Sequence, residues 1–179
     1  MIITITGGSG SGKSALGETI AHRLEPREKY YIATMAASGA EAASRIARHR
    51  RLRNGKNFIT IEQPQNLSAV QVPADATVLL ECVSNLLANE MFSAEDVNPH
   101  QDKADTIAHD IERLAAHCRH LVIITNEIFA DGLPYDPSTI AYIAGLGAIN
   151  RRLFQLSEVC IESVYSIPVF HKGALPWQL

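Results

Sequence analysis

Residues 1–20 read MIITITGGSGSGKSALGETI. Ile3–Thr6 alternates Ile and Thr, and Ile2–Thr6 is a β-branched run with the composition of a strand. The chain then breaks into glycine and serine, and resumes at Lys13 and Ser14 with a helix-like stretch. Gly7-Gly8-Ser9-Gly10-Ser11-Gly12-Lys13-Ser14 fits G-x-x-x-x-G-K-[ST], in the strand-then-helix setting that the pattern requires. Glycines let the backbone curl so that its N–H groups point inward around an anion. A helix starting near Lys13 adds its positive dipole end. Lys13 is placed to reach β- and γ-phosphates, and Ser14 to ligate Mg²⁺. A flexible Gly/Ser turn is the plainer reading, but it leaves the Lys-Ser pair, in register between strand and helix, without a reason. The opening therefore implies a nucleoside triphosphate site and leaves the reaction open.

The chain has 179 residues, a formal net charge of -3 and 46% hydrophobic residues, enough for one domain with a core of its own. That near-neutral balance argues against a broad nucleic-acid-binding surface. No apolar run is long enough to span a bilayer, and no signal-peptide pattern is seen. Cys82, Cys118 and Cys160 are far apart, without metal or redox spacing, and read as buried small hydrophobes in a reducing compartment. The expectation is a cytoplasmic protein with one domain over 1–179.

Short apolar runs alternate with helical ones. Ile2–Thr6, Tyr30–Ala33, Val78–Cys82, His120–Thr125 and Val159–Val164 read as strands, several apolar nearly throughout, as in a parallel sheet covered on both faces. Ser14–Leu24, Glu41–Arg53, Val83–Phe92, Lys103–Cys118 and Thr139–Leu156 read as helices. Ile167–Phe170 reads as a last strand turning back antiparallel, and Gln63–Ala76 and Ser93–Asp102 as loops. The fold class expected is α/β: a P-loop NTPase-like, mainly parallel sheet flanked by helices, with a C-terminal antiparallel strand.

Two further places carry chemistry. Thr77–Cys82 is an apolar strand ending in Glu81, and a carboxylate at such an end faces the phosphate loop and holds Mg²⁺. An ordinary strand-end carboxylate is the other reading. Asn126-Glu127 follows the strand at 120–125, on the edge where open α/β sheets bind ligands. Glu127 there either orients a substrate hydroxyl or the metal, or belongs to a turn or helix cap. Along Ser44–Arg53, Arg45, His49 and Arg53 fall at i, i+4 and i+8 and line one helix face. Flanking guanidiniums lower the pKa of a histidine, and a neutral imidazole is a nucleophile. A solvated basic face with an incidental histidine is the alternative.

These pieces, in this order, resemble the bifunctional adenosylcobinamide kinase / adenosylcobinamide-phosphate guanylyltransferase family. The resemblance runs through GGSGSGKS at Gly7–Ser14, YIAT at Tyr31–Thr34, RIARHRRLR at Arg45–Arg53 and LLEC at Leu79–Cys82 with Asn89 after it. It continues through TNE at Thr125–Glu127, Pro134, and Gly147-Ala148-Ile149-Asn150. It implies two reactions: phosphorylation of adenosylcobinamide by GTP or ATP, then transfer of GMP from GTP through a guanylyl-histidine to give adenosylcobinamide-GDP. It implies His49 as the nucleophile, with Lys13 and Glu81 completing the catalytic set, and Mg²⁺ on Ser14 and Glu81. The nucleotide-binding set is then Gly7 to Ser14 (Gly7, Gly8, Ser9, Gly10, Ser11, Gly12, Lys13, Ser14) together with Arg45, Arg53, Glu62, Glu81 and Glu127. It also implies a homotrimer, with no nucleic-acid partner and no membrane insertion.

The chain departs from the family pattern at Gly10, where an arginine is usual, and at Phe129 and Asp131, where glycines are usual. It departs again over Ile140–Ala144, which lacks an arginine and an aspartate, and before the Arg/His helix, where an acidic pair is reduced to Glu41. The nucleotide half is kept more closely than the acceptor half. A divergent P-loop kinase for another small alcohol, or a non-catalytic GTP-binding module, are the alternative readings.

Overall fold

The computed structural model describes residues 1–24, 28–36, 57–92, 102–129 and 132–178. The helix expected over Glu41–Arg53, with Arg45, His49 and Arg53, lies outside the described residues, as does Asp131 and all of the 93–102 loop except Asp102.

In chain order the elements are β1 (Ile2–Thr6), α1 (Lys13–Leu24), β2 (Lys29–Ala33), β3 (Phe58–Glu62) and β4 (Thr77–Glu81). They continue with α2 (Val83–Met91), α3 (Asp102–His117), β5 (His120–Ile124), α4 (Pro137–Leu156), β6 (Val159–Val164) and β7 (Ile167–Lys172). Among the described residues the strands form one sheet in the order β3-β2-β4-β5-β1-β6-β7. All pairings are parallel except β6 with β7, so the mainly parallel sheet and the antiparallel last strand are as expected.

The period-2 alternation of each strand sends its residues to two cores. Ile32, Val78, Leu80, Leu121 and Ile123 face one side, under Leu86 and Leu87 of α2, Ile107 and Ile111 of α3, and Leu146, Ile149 and Leu153 of α4. Ile3, Ile5, Tyr31, Leu79, Val122, Ile124 and Ile161 face the other, under Ile20 and Ala21 of α1. Leu175 and Trp177 pack on this second core, so the C-terminal tail returns to its own chain beside α1. All three cysteines are free and buried.

Several boundaries differ from those expected. Cys82 and Thr125 lie just past the ends of β4 and β5, Phe92 caps α2, Cys118 follows α3, and β7 runs on to Lys172. Helix α4 starts at Pro137 rather than Thr139, because Asp136 caps it: its carboxylate accepts from Ser138 N at 2.9 Å and Thr139 N at 3.1 Å. Strand β3 was not expected from the sequence. It lies at the sheet edge, pairs with β2, and leaves Ile59 44% exposed. The loop after it holds one 3₁₀ turn, Leu67–Ala69.

Candidate active site

The parallel register brings the C-terminal ends of the strands into one row, Glu62–Ala33–Glu81–Ile124–Ile5–Ile161. The glycine loop leaves β1 one residue beyond this row and feeds α1. Gly7 has φ +150°, and a Cβ there would lie 2.6 Å from the Ser163 carbonyl oxygen. Gly12 has φ +91°, and a Cβ there would run into Ser166 Oγ. Only glycine fits either position.

The loop is fastened from both sides. Tyr165 and Ser166 form the two-residue turn between β6 and β7, both with positive φ (49° and 66°), the geometry of a tight hairpin. From that hairpin, Ser166 N donates to Ser11 O at 2.8 Å and Ser163 Oγ donates to the same carbonyl at 2.7 Å. From the β5 side, Glu127 N donates to Gly7 O at 3.1 Å. The Glu127 carboxylate folds onto its own loop and accepts from Phe129 N at 2.9 Å.

Lys13 is 8% exposed, and its Nζ donates to Gly8 O at 2.8 Å. Burial lowers the pKa of its ammonium, opposed by the charges of Cys82 and Glu81. Ser14 Oγ donates to Glu81 Oε1, and Tyr31 Oη donates to Glu81 Oε2 at 2.6 Å. Thr34 holds the chain just after Glu81. Its Oγ1 accepts from Cys82 N at 2.7 Å and donates to Cys82 O at 2.8 Å, and its N donates to Glu81 O at 2.9 Å. The Glu81–Cys82 peptide is cis.

Side chains from three stretches distant in sequence interlock beside this edge. Thr125 Oγ1 donates to Asn150 Oδ1 at 2.7 Å, Asn150 Nδ2 donates to Asn126 O at 3.2 Å, and Asn126 Nδ2 donates to Ser84 Oγ. Asn89 Nδ2 bridges Thr34 O (2.7 Å) and Pro64 O (2.9 Å), joining the exits of β2 and β3.

The structure thus gathers Gly7 to Ser14, Glu81 and the backbone of Glu127. It leaves Glu62 exposed at the end of β3, four strand positions from β1, about 19 Å at ordinary strand spacing. Tyr31, Thr34, Ser163 and Ser166 were not singled out from the sequence. The first two sit inside the YIAT stretch, but their contacts with Glu81 and Cys82 depend on the register of β2 against β4. The serines depend on where the last hairpin lands. Hard oxygens at Ser14 and Glu81, beside a loop shaped for phosphate, are the donor type that Mg²⁺ takes together with phosphate and water. Among the described residues no group of three His, Cys, Asp or Glu forms an all-protein metal cage.

A mainly parallel sheet, a glycine loop opening into a helix, and a strand-end carboxylate on the loop's serine define a P-loop nucleotide-binding protein. A sequence model of the cobinamide kinase / cobinamide phosphate guanyltransferase family matches residues 3–169, and the chain belongs to that family. Membership places it among the kinase/guanylyltransferase enzymes of cobalamin biosynthesis, which use nucleotide and cobinamide substrates. No curated protein matches the chain. Solved structures share the fold at low identity. One of them, an ATPase domain, is 12% identical with a TM-score of 0.53, over 90% of this chain and 68% of that one. The flagellar accessory protein FlaH from Methanocaldococcus jannaschii is 14% identical with a TM-score of 0.51, over 96% and 78%. A Pyrococcus horikoshii OT3 protein is 6% identical with a TM-score of 0.57, over 98% and 87%. Among the described residues no helix is long and apolar enough to cross a membrane.

Proposed function

We propose that this chain carries out both reactions of its family in one domain: it phosphorylates adenosylcobinamide, then transfers GMP from GTP to the product through a guanylyl-histidine at His49, giving adenosylcobinamide-GDP. The observation that carries the nucleotide half is the meeting of Ser14 and Glu81 beside a loop that only glycine can form. The loop amides from Gly8 to Ser14 and the Lys13 ammonium hold the triphosphate. Ser14 and Glu81 hold Mg²⁺, which neutralises charge on the phosphates when bound. In the first reaction the loop and Lys13 steady the γ-phosphoryl group as the acceptor hydroxyl attacks it in line. In the second, a neutral His49 nitrogen attacks the α-phosphorus of GTP. The new P–N bond replaces the bond to the β-phosphate oxygen, and pyrophosphate leaves. A phosphate oxygen of phosphorylated cobinamide then displaces the imidazole. Arg45 and Arg53, four residues before and after His49 in the sequence, keep the imidazole neutral and hold the phosphates under attack. Glu127 and Glu62 complete the proposed nucleotide set, Glu62 at the far end of the strand-end row. We place the enzyme in the cytoplasm as a homotrimer.

The test is product analysis by mass spectrometry with adenosylcobinamide, GTP and Mg²⁺. Wild type yields adenosylcobinamide-GDP, and His49→Ala stops at the phosphorylated acceptor. A His49→Ala enzyme that still forms the GDP product overturns the histidine step. GTP binding without either product favours the non-catalytic module.

A further inference from the structure

We infer that Tyr31 is a positioning residue for the nucleotide–metal site, acting through Glu81 on Ser14; the inference rests on the role proposed above for Ser14 and Glu81. Tyr31 is 2% exposed and lies on the α1 side of the sheet. Register sets it level with Leu79 of β4, two residues before Glu81. From there its hydroxyl reaches forward to Glu81 Oε2 at 2.6 Å, while Glu81 Oε1 accepts from Ser14 Oγ. One carboxylate therefore receives two hydroxyl donors, one on each oxygen, from two separate elements.

The terminal torsion of a glutamate is soft and roughly two-fold. A carboxylate held at one oxygen rotates about that torsion, whereas one held at both has a fixed plane. The donor is itself fixed by packing: the Tyr31 ring meets Phe58 of β3 edge-on, with centroids 5.9 Å apart and planes at 79°. The plane of the Glu81 carboxylate, and with it the direction of the Ser14 hydroxyl, is therefore set from β2. Rotation of Glu81 would spoil the paired oxygens presented to a metal and leave phosphate contacts made by loop amides and Lys13 intact. The neighbouring Tyr30 offers a control of the same chemistry: its hydroxyl donates to Glu28 Oε2 at 2.9 Å at an exposed position.

The experiment is equilibrium binding of a non-hydrolysable GTP analogue to the full chain, in Mg²⁺ and in EDTA, for wild type, Tyr31→Phe and Tyr30→Phe, with a thermal melt of each. Wild type is expected to bind more tightly in Mg²⁺. Tyr31→Phe is expected to lose about tenfold in Mg²⁺, the size of one hydrogen bond to a charged group, and to match wild type in EDTA. Tyr30→Phe is expected to match wild type in both. Equal binding by wild type and Tyr31→Phe in Mg²⁺ overturns the inference and leaves the proposed function standing. An equal loss in Mg²⁺ and EDTA, or a Tyr31→Phe chain that does not fold, makes Tyr31 merely structural and also overturns it. Wild-type binding indifferent to Mg²⁺ overturns the metal reading and the inference with it. Absence of any wild-type binding overturns the proposed function itself.

Discussion

Ser166 N donates to Ser11 O at 2.8 Å, which ties the last hairpin of the sheet to the loop that opens the chain. Gly12 lies against the same serine, so close that any Cβ there overlaps Ser166 Oγ. Gly12→Ala should therefore lower affinity for GTP at least about tenfold, through both the positive φ and the overlap. Ser166→Gly alone should be tolerated, because its φ of 66° suits glycine. Combining the two should restore part of the loss, a non-additive result that isothermal titration would read directly. Strict additivity would mean that Gly12 and Ser166 do not meet.

Lys13 is buried with its ammonium on the Gly8 carbonyl, and burial depresses its pKa below the usual 10.5. In the window just below 10.5 the unfolded chain then binds the proton that the folded chain has released. Stability of the nucleotide-free protein accordingly rises with pH through that window. Lys13→Met should remove this rise and leave the melting temperature at neutral pH unchanged or higher. The same variant should lose roughly 10–100-fold in GTP affinity, since the charge-assisted contact is gone. Melts across alkaline pH and binding at neutral pH would check the two signs separately.

Asp136 accepts from Ser138 and Thr139 through both backbone and hydroxyl donors, which hold its carboxyl well below the ordinary 3.8. Its capping contribution to α4 is complete above that value and fades as pH falls through the depressed folded pKa. Asp136→Ala should lower the melting temperature by about 2–4 °C at neutral pH. Asp136→Asn should keep most of the cap and lose its acid dependence. A variant melting like wild type at every pH would contradict the cap.

Trp177 is the chain's sole tryptophan and packs on the α1-side core. Native fluorescence should be blue-shifted, and its red shift on urea unfolding should coincide with the loss of far-UV ellipticity. A red-shifted native spectrum would mean that the tail is undocked.

Much of this fold was legible because the strands of a doubly covered sheet are nearly all apolar, as at Val78–Leu80 and Leu121–Ile124. FITIE at 58–62 escaped although Phe, Ile and Thr suit a strand: it is a five-residue edge strand with three of its side chains exposed and polar loop sequence directly after it. The Asp136–Pro137 pair is an ordinary helix start and could have moved the beginning of α4 to its observed place. Glu81 was legible as the polar end of an apolar strand. Its partner Tyr31 was not, because strand order is not written locally: β2 lies beyond β4 rather than beside β1, and its pairing with β4 sets the hydroxyl on the carboxylate. The position of Glu62, at the far edge of the row of strand ends, is likewise set by the pairing of β3 with β2 and of β2 with β4.

The proposed function stands or falls with His49 as the carrier of GMP. Intact mass of the protein after incubation with GTP and Mg²⁺, quenched in base because a phosphoramidate survives base and is lost in acid, tests it most directly, with His49→Ala alongside. Wild type is expected to gain one guanylyl group, acid-labile and absent from His49→Ala. No added mass on a wild-type protein that binds GTP, or an equal addition to His49→Ala, would contradict it.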